Sequence, residues 1–119
     1  MELRKFEIAG KEIEFVNQYR STRSGFAHDT TLFIDGYRRA EATCHYLNRT
    51  WECYTYQTVM KEAVYELIAR EKEIVKDTFK RAKGYQKLTK ARQQELEEVY
   101  KTNEELKFLN AIYAKLNRY

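Results

Sequence analysis

The sequence predicts an α+β protein, a small antiparallel sheet of three to four strands followed by two long α-helices. Gly10, Gly25 and Gly36, three of the four glycines, concentrate turn chemistry in the N-terminal third. The hydrophobic period there is close to two, and after Tyr54 it changes to about 3.6. Proline is absent, where ordinary usage of about 5% would place roughly six, so long uninterrupted elements are favoured. A length of 119 residues suits one domain, with residues 1–54 as its sheet part and 55–119 as its helical part.

The runs Leu3 to Ile8, Glu12 to Arg20, Phe26 to Ile34 and Tyr37 to Leu47 are rich in β-branched and aromatic residues and read as strands. Alternation is clearest at Ile13, Phe15, Asn17 and Tyr19, and again at Ala40, Ala42, Cys44 and Tyr46. Asp35-Gly36 separates the last two runs, and that dipeptide suits a two-residue hairpin because both central positions need positive φ. The first helix follows from the stripe Val59, Met60, Ala63, Val64, Leu67, Ile68, Val75 and Phe79. It ends near Lys83-Gly84, where glycine suits the position after the last turn and Lys80, Arg81 and Lys83 oppose the helix dipole. A second stripe, Leu96, Val99, Leu106, Leu109, Ile112, Tyr113 and Leu116, with Asn103 interrupting it, predicts one helix from about Thr89 to Asn117. Since one helix suffices to cover the sheet, the second either folds back as a helical hairpin or projects, and its apolar seam then suits a homodimer through the C-terminal helix.

With 43% hydrophobic and 34% charged residues, the chain is neither disordered nor built to span a membrane. Its start, MELRKFEIAG, has no apolar stretch of the signal-peptide kind, which predicts a cytoplasmic address. Two cysteines are too few for a disulfide scaffold in a chain this size, and in that setting Cys44 and Cys53 are expected as thiols. They and His28 and His45 are the only soft metal ligands, but neighbouring Cys44 and His45 point to opposite faces of a strand, so no metal or other cofactor is expected. Nor does the chain carry a glycine-rich phosphate loop, a serine elbow or a paired-carboxylate arrangement, so no catalytic residue is assigned and an enzyme is not expected.

The net charge of +4 resides in the helical part, because residues 1–54 hold eight basic and eight acidic residues. Lys76, Lys80, Arg81, Lys83, Lys87, Lys90 and Arg92 face only Asp77 in their stretch, and Glu95, Glu97 and Glu98 follow. This basic elbow, with Tyr85 at its centre, is the candidate partner-binding surface: Lys80, Arg81, Lys83, Tyr85, Lys87 and Lys90. The plainer reading is a solvated helix end whose cations favour the dipole. Arg49, Trp51 and Glu52 form a junction between the last strand and the first helix, with Trp51 as an anchor in the sheet-helix corner.

The run from Gly25-Phe26-Ala27-His28 through Asp35-Gly36-Tyr37 and Asn48-Arg49-Thr50-Trp51-Glu52 to Tyr56-Gln57-Thr58-Val59-Met60 resembles small proteins of Firmicutes phages and mobile elements over about residues 23–68. Some small proteins of such elements are anti-CRISPR inhibitors of Cas9-type nucleases. The resemblance therefore implies a phage or mobile-element accessory protein that binds a host protein, a Cas9-type nuclease or its guide-RNA complex. The alternative is a small nucleic-acid-binding module using the basic elbow.

Overall fold

A computed structural model describes residues 2–23, 25–46, 56–84 and 87–117, leaving the side chains of Glu2 and Tyr46 aside. The α+β expectation holds, with four strands: β1 (Glu2–Ile8), β2 (Lys11–Thr22), β3 (Gly25–Ile34) and β4 (Tyr37–Tyr46) form an antiparallel meander in sequence order. Ala9 and Gly10 turn β1 into β2 with φ of 52° and 78°, and Asp35 and Gly36 turn β3 into β4 with φ of 51° and 80°. Both are two-residue hairpins of positive φ, a geometry that matches the twist of the strands they join. Asp35 also ties its turn to β2, since its Oδ1 accepts from the Glu12 amide at 2.8 Å. Register follows from the alternation. Ile13 faces Ile34 and Phe15 faces Leu32, which puts one apolar surface on one side of the sheet. A bulge opposite Leu32 and Phe33 then brings Ala40 onto that side.

Helix α1 (Tyr56–Lys83) buries the eight residues of its predicted stripe and no others. The second helix differs from expectation, because Asn103 divides it into α2 (Lys90–Thr102) and α3 (Glu104–Leu116). Asn103 has ψ of 122°, outside the helical range; its amide closes α2 on the Val99 carbonyl, and its Oδ1 accepts from the Leu106 amide at 2.9 Å to start α3. Asparagine readily serves at such caps because its short side chain satisfies an amide that the helix leaves orphaned. The break turns α3 onto the sheet beside α1, and Gln57 donates to the Leu116 carbonyl at 2.6 Å where the two antiparallel helices end together.

Two helices thus cover the sheet, where one was expected to suffice. Leu106, Leu109, Ile112 and Leu116 are at most 1% exposed, so the seam expected to hold a second copy is spent inside the chain. One polar pair sits in this core. Asn17 and Thr30 are cross-strand partners, the Thr30 hydroxyl donates to Asn17 Oδ1, and Asn17 Nδ2 reaches Met60 Sδ at 3.4 Å. A one-residue slip would strand both groups unpaired, so the pair reinforces the β2–β3 register.

A second correction concerns Cys44. It is half-buried on β4 opposite His28 and is disulfide-bonded, not a thiol. The thiol expectation rested on cysteine number and compartment, and neither carries geometry. The one other cysteine, Cys53, lies outside the described residues, as do Arg49, Trp51 and Glu52 of the expected junction.

A basic-tipped helical arm as candidate binding surface

At about 1.5 Å per residue, the 28 residues of α1 run about 42 Å, against about 33 Å for the ten-residue strands beneath them. The helix consequently outruns its sheet. Its last turns pair with α2, which packs on α1 and α3 and makes little contact with the strands. This two-helix arm explains a radius of gyration of 17.1 Å and extents of 49 × 34 × 24 Å, where a compact chain of this length would have a radius of about 13.5 Å.

The arm has a thin core of Val75, Phe79 and Leu96. Tyr100 strengthens its base, donating from its hydroxyl to the Lys72 carbonyl at 3.3 Å while the Lys72 ammonium lies 5.5 Å from the ring centroid. Burial, then the charges of Glu97 and Glu73, push the Tyr100 phenol above its ordinary range. On one side the arm leaves a groove of about 350 Å³ with Val75 and Phe79 in its lining and Ile74 and Val99 on its walls. Ile74 is 59% exposed and Val99 37%, so the arm displays apolar surface that the body does not cover.

At the far end the structure gathers the predicted cations. Lys80, Arg81 and Lys83 occupy the last turn of α1, and Lys87 and Lys90 stand where the chain enters α2, capped by Thr89. All are exposed except Lys80, which is half-buried, and Tyr85 lies outside the described residues. Arg81 is already engaged, pairing with Asp77 one turn back at 3.0 Å. The remaining cations flank the connection between the two helices, and Gly84, at φ of 70°, ends α1. Behind the tip, α2 turns acidic at Glu95, Glu97 and Glu98, and Glu98 pairs with Lys101 at 3.3 Å.

Sequence reasoning missed the groove. Ile74 is absent from the expected stripe although it continues the seven-residue spacing of Met60 and Leu67, and that spacing was its signal; Val99 was assigned to the core and sits at its edge. It also missed a polar network on the open face of the sheet, which only strand pairing assembles. Asp29 accepts from Arg20 Nε at 2.7 Å and from the Thr43 hydroxyl at 2.6 Å. Burial alone would raise the Asp29 carboxyl, but these hydrogen bonds and the Arg20 charge outweigh it and hold the group below its ordinary range. At the opposite end from the arm, His28 packs between Tyr56 and Tyr19 at ring distances of 4.7 and 5.5 Å, with Phe26 stacked on Tyr19. Among the described residues no cluster of three metal-ligating side chains forms, and no helix is long and apolar enough to cross a membrane. Comparison with family models, curated proteins and solved structures finds no match to this chain.

Proposed function

We propose that this chain is a binding protein, not an enzyme, and that it acts through the tip of its arm on a protein partner in the cytoplasm of a bacterial host. In the phage or mobile-element setting that its sequence resembles, the partner is a defence nuclease of the Cas9 type, alone or with its guide RNA, and binding inhibits it. The observation that carries the reading is that exposed Lys83 ends α1 and exposed Lys87 and Lys90 lead into α2, at the end of a helix pair that carries apolar surface. Cations beside an apolar groove suit a protein surface, where apolar contact supplies affinity and lysines steer the encounter. The acidic residues Glu95, Glu97 and Glu98 lie within two turns of the tip and would repel a phosphate backbone passing along the arm. DNA mimicry is disfavoured by the net charge of +4. A reducing cytoplasm would open the Cys44 disulfide, so the reading requires a fold that tolerates its loss.

A cleavage assay with a Cas9-type nuclease tests the proposal. Stoichiometric inhibition is expected, weakened at least about tenfold by Lys83→Glu, Lys87→Glu and Lys90→Glu together, with the melting temperature unchanged because these positions are exposed. Binding to bare duplex that falls with salt, at a slope of about 0.9 per phosphate neutralised, would replace the inhibitor with the nucleic-acid module.

A further inference from the structure

The face that α1 lays on the sheet does not stop where the sheet stops. Met60 and Leu67 are buried on it, and seven residues further the same face presents Ile74, now 59% exposed. Around Ile74 the spacing is three, four and three: Glu71, Ile74, Thr78 and Arg81 lie on one side of the helix, and the first three line the groove against Val99. These four residues are symmetric about Lys76 in position and antisymmetric in charge. Turning the helix end for end about that point sets Ile74 opposite Thr78 and Glu71 opposite Arg81, at both ends of the contact.

We propose that the groove side of the arm is an isologous interface, and that its occupant is the arm of a second copy of this chain, running antiparallel. A two-fold interface requires a surface complementary to itself. The α1 face meets that requirement twice over. Each Ile74 enters the other copy's groove beside the small Thr78, above Val75 and Phe79, and the two Glu71–Arg81 pairs close the rims. A parallel arrangement would place Glu71 against Glu71 and Arg81 against Arg81, so charge also selects the orientation. Arg81 has the freedom to reach across, since its side chain is 81% exposed even while paired with Asp77. Of the tip cations only Arg81 joins the contact; Lys83, seven residues from the centre and about 10 Å along the axis, lies beyond it. A dimer would thus carry a basic tip at each end. The inference does not rest on the nature of the tip's partner. A patch a few turns long and two helices wide belongs with the weak, reversible class of interfaces.

Sedimentation of the full chain from micromolar to millimolar concentration tests it. Reversible monomer–dimer exchange is expected. Ile74→Asp should weaken it at least about tenfold without lowering the melting temperature, because the side chain is exposed in the monomer. Glu71→Arg and Arg81→Glu should each weaken association, and the double variant E71R/R81E should restore it, an outcome that a merely structural role would not produce. Lys83→Glu with Lys87→Glu should leave association unchanged. A monomer at every concentration, a dimer indifferent to Ile74→Asp, or a double reversal weaker than either single one would overturn the proposal.

Discussion

The body and the arm are built from the same helix, yet they solve opposite problems. In the body, α1 and α3 press on a sheet face whose Ile13, Phe15 and Leu32 are wholly buried, and an internal polar pair reinforces the register. In the arm, α1 continues with only α2 beside it, so three residues form the core and apolar side chains reach the surface. A helix pair without a third layer cannot bury both faces of each helix. The difference separates roles: the body supplies stability, and the arm offers surface.

The sharpest test of that division is to truncate one buried side chain of the body and one exposed apolar side chain of the arm. Phe15→Ala should cost about 3–5 kcal/mol, read by denaturant unfolding, whereas Ile74→Ala should stay within about 0.5 kcal/mol. Comparable losses at the two sites would erase the distinction. Within the arm, Leu96→Ala should cost about 2–3 kcal/mol, and hydrogen exchange should quicken in the second half of α1 and in α2 before the strands respond. Uniform acceleration would mean that arm and body open as one unit.

Reduction acts on the body alone. Cys44 is disulfide-bonded and the two cysteines are close in sequence, so reductant should lower stability by about 2–3 kcal/mol while leaving arm exchange unchanged. A melting curve indifferent to reductant would remove the bond from the account of stability. The smallest effect belongs to the open sheet face. Asp29 is depressed in the folded state, so its contribution is fully present above the ordinary carboxylate range and is lost as pH falls through the folded value, below about pH 4. Its exposed partner Arg20 keeps that contribution below about 1 kcal/mol. Asp29→Asn should flatten this acid limb, and an unchanged limb would assign it to other carboxylates.

What was legible in the sequence is what neighbours along the chain decide. The strand alternation, the Asp35-Gly36 turn, the α1 stripe and the Gly84 stop each depend on residues within a turn or two of one another, and each stands in the structure within two residues of its expected bounds. The basic elbow was legible as a run of cations for the same reason, because they are close in sequence. Tertiary structure decided the rest. Asn103 suits a cap as readily as an exposed helix position, and only the need to lay α3 on the sheet selects the cap. The stripe of Leu106, Leu109, Ile112 and Leu116 read equally as a dimer seam or a core, until the sheet proved wide enough to take a second helix. Ile74 and Val99 became surface because α1 is longer than the strands it covers, and that length mismatch exists only once sheet and helix are packed together.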